Sequence, residues 1–260
     1  MTDVLLMTRE DRVAVLTLNR PARLNALDTV LMRRLAQAVR ELADDDTVGC
    51  VVLTGAGKGF CSGGDIRAIA SAREADAKAA KADRSSLERR VRWLQRSAEA
   101  ARILHQMPKP TIAMINGACA GAGMSLIAAC DFRFAASSAK FAPTFVASGV
   151  PGDYGGSWFW THILGTGKAR QLYLLGETRD APAALDFGLV DRMFDDNALH
   201  AETMAVAQRL ASLPGAGAAY AKANLNAALT EPLGPFLDRE SLNMMLARQA
   251  LIEARRDPAT

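Results

Sequence analysis

Histidine is scarce, with only His105, His162 and His200 in a chain of 260 residues. None of the three stands in a metal-binding spacing or beside a serine or cysteine in a nucleophile motif. Nothing here supports metal-hydroxide chemistry or a His-activated covalent mechanism. Cysteine is almost as rare. Cys50, Cys61, Cys119 and Cys130 form no CxxC pair, and three of them sit in apolar runs. This predicts reduced, buried thiols in a reducing compartment, not a disulfide framework. No apolar stretch reaches the ~20 residues needed to span a bilayer. The opening Met1-Thr2-Asp3-Val4 has no signal-peptide character and leads into a strand-like run. A cytoplasmic protein with no membrane partner is expected. A dominant charge is missing too: 31 Lys and Arg face 28 Asp and Glu, a net +3. The basic residues are scattered, and Arg89, Arg90 and Arg92 read as a solvated helix face, so no nucleic-acid partner is expected.

The glycine-rich loops fail the nucleotide-binding tests. A Walker A loop ending at Lys58 would need glycine at Val52 and serine or threonine at Gly59. Gly55-Ala56-Gly57 lacks the third dinucleotide-binding glycine, because Phe60 stands there. Gly123-Met124-Ser125-Leu126-Ile127 misses the final glycine of a nucleophile elbow.

What is present is a recurring strand, small-residue loop and helix. Residues 13–18 read as a strand closed by Asn19-Arg20-Pro21. Residues 28–44 carry apolar side chains at helical spacing (Val30, Leu31, Leu35, Ala38, Val39, Leu42), with Asp28 or Thr29 as the cap. Residues 50–53 are a short apolar strand buried on both faces, feeding a loop over 55–64. A charged helical stretch over about 68–107 ends at Pro108 and Pro110. A second buried strand at 111–115 feeds a second small-residue loop over 116–123, then a helix to Cys130 and a strand around 132–134. Short helices punctuated by Gly165, Gly176, Gly188 and Pro214 follow, and a long helix spans about 233–256. No linker composition divides the chain.

Three segments, in this order, resemble the enoyl-CoA hydratase/isomerase (crotonase) family. They are Asn19-Arg20-Pro21-Ala22-Arg23-Leu24-Asn25-Ala26-Leu27, then Leu53-Thr54-Gly55-Ala56-Gly57-Lys58-Gly59-Phe60-Cys61-Ser62-Gly63-Gly64-Asp65-Ile66, then Ile115-Asn116-Gly117-Ala118-Cys119-Ala120-Gly121-Ala122-Gly123-Met124, closing at Cys130-Asp131. The likeness continues through 149–164 and 181–190. It implies an α/β fold, a crotonase-like spiral of repeated ββα units over 1–195, with a helical C-terminal region over 196–260 in the same overall domain. It also implies a homotrimer or a hexamer built from two trimers. The apolar stripe Leu237, Leu242, Met245, Leu246 and Leu251 reads equally as a subunit contact or an intrachain core. The implied substrate is an acyl-CoA thioester, with no further cofactor because coenzyme A arrives as part of the substrate.

Such a family stabilises a thioester enolate between two backbone N–H groups, and the resemblance places these at Gly64 and Ala122. Fixed main-chain donors suit the task because they need no reorganisation, and one such donor contributes roughly 3–4 kcal/mol. Ala122 would also open the helix to Cys130, aiming its positive end at the oxyanion. The same resemblance puts the adenine near the backbone of Ala26 and Ser62 and the CoA phosphates near Arg23 and Lys58. It extends the substrate site to Asp65, Ile66 and Gly121, with Asp65 ordering its loop.

The two glutamates of the family's hydratases fall on Ser125 and Phe145, neither an acid nor a base at neutral pH. Asp153, four residues after Gly149, matches the carboxylate of double-bond-shifting members. One carboxylate suffices for a 1,3-proton shift. Phe145, Val146, Trp158 and Phe159 would raise its pKa if they pack around it. The competing reading is a turn or helix-cap aspartate among glycines. Isomerisation by Asp153 is therefore the expected activity. The alternatives are hydration by an atypical one-acid site and an acyl-CoA-binding protein without catalysis.

Overall fold

The structure, a computed structural model, describes residues 3–65 and 84–256. A six-stranded sheet runs in the order β1 (Leu5–Glu10), β2 (Val13–Leu18), β3 (Cys50–Gly55), β5 (Thr111–Ile115), β7 (Phe132–Ala136), β10 (Arg192–Phe194). Only β1 and β2 pair antiparallel, and every later pairing is parallel. A second sheet joins β4 (Gly59–Cys61), β6 (Ala118–Ala120), β8 (Lys140–Ala142) and β9 (Arg179–Asp180).

Each strand β3, β5 and β7 of the first sheet is followed by β4, β6 or β8 of the second, and then by a helix. Those helices are α2 (Arg84–Gln106), α3 (Ala122–Ala129) and α4 (Gly156–Arg170). This is the expected ββα spiral. The strands β4 and β6 lie inside stretches whose small residues read as loops, because three residues are too few to show alternation. Strands β3 and β5 are buried along their whole length, as apolar runs in the middle of a parallel sheet must be.

Helix α1 (Thr29–Asp44) covers the sheet with Leu31, Leu35, Ala38, Val39 and Leu42. Asp28 caps it, its carboxylate accepting from the amides of Val30 (3.0 Å) and Leu31 (2.8 Å). Truncating the buried Leu35 to alanine would cost about 2–5 kcal/mol in lost burial and cavity. All eight residues of α3 are buried, so it is apolar all round rather than amphipathic. Gly165 breaks α4 with φ +76°, and residues 171–175 continue as a π-helical turn.

Beyond α5 (Ala181–Phe187) and α6 (Leu199–Ala211), the chain ends in α7 (Gly215–Ala227) and α8 (Leu233–Arg256). Lys222 of α7 anchors them to the core, its Nζ donating to Asp131 Oδ2 (2.7 Å) and to the carbonyls of Leu104 and Lys109. Helix α8 packs along α7, yet Leu237, Leu242, Met245, Leu246 and Leu251 are exposed. The stripe is not an intrachain core. All four cysteines are buried and free, and no helix among the described residues is long and apolar enough to cross a membrane.

Candidate active site

The two small-residue loops meet because β4 and β6 pair in parallel, Cys61 opposite Cys119. The loops stay side by side beyond these strands, where a β-carbon on Gly121 would lie 3.6 Å from Gly63 Cα. The approach is close. A β-carbon built on Gly63, whose φ is +93°, would stand 3.3 Å from the Ala122 nitrogen and 3.1 Å from the Ala120 oxygen. Only glycine adopts that backbone and leaves that space.

Residues 62–65 also pair with the segment before α1. Leu27 donates to the Gly63 carbonyl (2.8 Å), Asp65 donates to Leu27 (3.0 Å), and Gly64 forms the bridge between them. In a parallel bridge of this kind the central residue's own N–H faces the opposite edge. The Gly64 amide thus has no backbone acceptor among the described residues. Ala122 opens α3, where first-turn amides lack intrahelical partners, and its cap Gly121 brings no side chain to them. Gly121 itself donates to Ala142 (3.1 Å) and is buried in the seam.

Side chains from outside the loops fix their shape. Buried Asn25 accepts from the Arg20 amide and donates to the carbonyls of Ala56 (2.9 Å) and Gly59 (2.7 Å). Asn116 accepts from the Gly55 amide (3.2 Å) and donates to Gly57 (2.9 Å). Arg20 reaches the Ala26 carbonyl and pairs with Asp28 and Asp65, each at 3.1 Å. Asp65 is thereby tied to Arg20 by its side chain and to Leu27 by its amide. The positioning roles of Arg20, Asn25 and Asn116 were not assigned from sequence, although all three stand within the motifs that carried the resemblance.

Arg23 and Lys58 are both exposed. Their loops touch, since a β-carbon on Gly57 would lie 3.0 Å from Pro21 Cβ. Ser62 donates its amide to Leu24 (2.9 Å) and its hydroxyl to the Arg23 carbonyl (3.3 Å). Ala26 is buried. Ile66 lies outside the described residues.

Asp153 sits in a contorted loop: Gly152, Tyr154 and Gly155 have φ of +114°, +51° and +74°. It is no helix cap. The cap of α4 is Gly155, and no side chain bonds there. Asp153 Oδ1 is instead buried with no hydrogen-bond partner among the described residues. Burial pushes its pKa from 3.8 up to about 6. A buried carboxylate oxygen without a partner is a costly arrangement that marks functional sites more than structural ones.

The surroundings of Asp153 differ in part from the sequence expectation. Phe145 flanks Gly152 and the buried Phe159 ring lies 3.1 Å from the β-carbon position of Gly155, as expected, and Tyr173, stacked on Phe145 at 5.9 Å and 4°, joins them. Trp158 instead contacts His105 and His162, and Val146 is exposed. Tyr173 lies twenty residues downstream of Asp153 in a π-helical turn, so no local sequence pattern ties the two together. Asp153 also lies within electrostatic reach of the first loop. Burial, with the Asp153 carboxylate as a smaller cause, lifts the Cys61 thiol to about 12.

The comparisons agree with this architecture. The family model for enoyl-CoA hydratase/isomerase matches residues 8–249. A 1,2-epoxyphenylacetyl-CoA isomerase from Escherichia coli K12 is 36% identical over 241 residues, covering 92% of this chain and 88% of its own. A crotonyl-CoA hydratase from Syntrophomonas wolfei is 32% identical, covering 80% of this chain and 75% of its own. The crystal structure of an enoyl-CoA hydratase from Mycobacterium smegmatis superposes with a TM-score of 0.84 at 27% identity, covering 98% of this chain and 97% of that one. The spiral of ββα units, the paired glycine loops and the match across nearly the whole sequence lead to one conclusion: this chain is an enzyme of the enoyl-CoA hydratase/isomerase family, with the crotonase fold.

Proposed function

We propose that this enzyme shifts a double bond in an acyl-CoA thioester through an enolate, with Asp153 as the single carboxylate that moves the proton. The observation that carries this reading is the half-buried Asp153 carboxylate, whose Oδ1 is buried without a partner among the described residues and whose pKa is raised to about 6. Ionised, it accepts a proton from carbon, and the C–H electron pair moves onto the thioester oxygen. That oxygen is received by the N–H groups of Gly64 and Ala122, the latter at the positive end of α3. The neutral carboxylic acid then returns the proton two carbons away, and the enolate electrons flow back into the new double bond. A pKa near 6 suits both halves of this exchange.

Arg23 and Lys58 are proposed to meet the CoA phosphates, and the backbone of Ala26 and Ser62 the adenine. The Ala26 carbonyl already accepts from Arg20 and keeps one lone pair for a ligand. Coenzyme A enters with the substrate, and no separate cofactor takes part. The exposed apolar stripe of α8 supports the C-terminal helices as the subunit contact of a trimer or a pair of trimers.

One-acid hydration is the second reading, favoured by the likeness to a relative named crotonyl-CoA hydratase. Incubation with 2-enoyl- and 3-enoyl-CoA in deuterated water decides between them. Isomerisation raises the conjugated-enoyl absorbance from the 3-enoyl substrate, and hydration lowers it from the 2-enoyl substrate. No exchange of α-protons with any acyl-CoA would reduce the protein to a binder.

A further inference from the structure

Of the five buried side-chain polar atoms without a hydrogen-bond partner among the described residues, three come together from separate elements, while Arg133 Nε and Thr203 Oγ1 lie outside the cluster. The three are Ser125 Oγ on α3, Asp153 Oδ1 before α4, and Tyr173 OH in the π-helical turn. They are neighbours. A β-carbon on Gly156 would stand 2.2 Å from Ser125 Oγ and 2.6 Å from Tyr173 OH, so both hydroxyls converge on the face that this glycine leaves bare. The Tyr173 ring also lies 3.1 Å from the β-carbon position of Gly152, the residue before Asp153. The two hydroxyls are close enough to influence one another, but they form no hydrogen bond of normal geometry.

Packing alone does not account for the cluster. Alanine would fill the place of the fully buried Ser125 without burying an oxygen, and phenylalanine would stack on Phe145 as well as tyrosine does. Unpaired buried polar atoms are rare in native proteins, and three together call for a missing partner. Their chemistry defines that partner. Burial, followed by the nearby Asp153 charge, raises the Tyr173 phenol well above its ordinary value, so at neutral pH it is a donor. Ser125 can donate as well, while ionised Asp153 only accepts. The complement is an O–H oxygen, which takes two hydrogen bonds and gives one.

We propose that Ser125, Tyr173 and Asp153 form a seat for one hydroxyl oxygen beside the acyl chain, and that the acyl group this enzyme takes carries that hydroxyl at the β-carbon or beyond. The proposal rests on the acyl-CoA reading above. A bound water is the other source of the same chemistry. An acyl hydroxyl in the seat would hold the chain against Asp153 and so select oxygenated acyl groups over plain ones.

The test measures kcat/KM for solvent deuterium uptake at the α-carbon of butyryl-, 3-hydroxybutyryl- and 4-hydroxybutyryl-CoA, together with hydration of crotonyl-CoA. Wild type is compared with Tyr173→Phe, Ser125→Ala and Asp153→Asn. The expected result is a preference of at least tenfold for a hydroxyacyl-CoA over butyryl-CoA, falling towards unity in Tyr173→Phe and in Ser125→Ala. If wild type shows no such preference but hydrates crotonyl-CoA, and both variants lose that hydration by tenfold or more, the seat stands and its oxygen is water's. Exchange that depends on Asp153, with ratios and hydration unmoved by either hydroxyl variant, overturns the seat and leaves the acyl-CoA reading intact. No exchange with any of the probes by wild type removes both.

Discussion

A β-carbon on Gly63 would stand 3.3 Å from the amide nitrogen of Ala122, so the peptide leading into Gly64 runs directly beside the first turn of α3. The contact holds the two proposed oxyanion donors in a shared frame, and it makes Gly63 the position where the frame is easiest to break. Gly63→Ala would force a side chain into φ +93° and push the loops apart. The backbone strain alone is about 1–2 kcal/mol. Thermal unfolding should register that loss, and acyl-CoA turnover should fall further than the lost stability explains.

Ala122→Pro tests one donor without dismantling the helix. Residue 122 is the first of α3, where proline is tolerated because its missing N–H had no intrahelical partner. The expected outcome is a fall in kcat of about 10²–10³-fold, the worth of one oxyanion donor. Affinity for a CoA thioester, read by calorimetry, should change far less.

Asp153 makes a prediction of opposite sign for stability and for rate. Its pKa is higher in the folded chain than unfolded, so the folded state favours the protonated form. The penalty is absent below about pH 4, grows as pH rises, and is complete above the folded pKa of about 6. A rise from 3.8 to about 6 corresponds to about 3 kcal/mol. Asp153→Asn should therefore be more stable than wild type at neutral pH by up to that amount, and equal to it near pH 4. Its turnover should drop about 10²–10⁴-fold, the range for a lost general base. Wild-type kcat/KM should decline as pH falls through about 6, where the base form is lost. Denaturant titrations across pH, run beside rate profiles, check both halves.

The C-terminal helices are tied to the core by an ion pair with Lys222 buried and Asp131 partly buried. Lys222 Nζ lies 2.7 Å from Asp131 Oδ2, which also accepts from the amide and hydroxyl of Thr111. Lys222→Ala would strand the Asp131 charge, at a cost of about 3–5 kcal/mol. Adding Asp131→Asn should recover part of that loss, because the uncompensated charge disappears. Urea midpoints of the single and double variants measure the recovery.

The long periodic elements were legible in the sequence because hydrophobic burial writes itself at fixed spacing. Residues 13–18 and 111–115 match β2 and β5 residue for residue, the helix read over about 233–256 is α8, and Asp28, one of two cap candidates, caps α1. The two small-residue loops stand out only through motif resemblance, since small residues alone read as turns. Strands β4 and β6 stayed hidden within those loops because a three-residue strand carries no period. Tyr173, Asn25 and Lys222 act through contacts across 17 to 118 residues of sequence, which no local pattern encodes. Asp153 was visible as a carboxylate among glycines, but its lack of a partner is a property of packing and appears only in three dimensions.

In the proposed reaction the thioester oxygen comes to rest between two main-chain amides. A crystal structure with an acyl-CoA whose thioester sulfur is replaced by a methylene group would place that oxygen directly. The expected result is a carbonyl oxygen about 2.7–3.1 Å from both the Gly64 and the Ala122 nitrogens, with the α-carbon facing Asp153. A carbonyl bound elsewhere, or held by only one of the two amides, would contradict it.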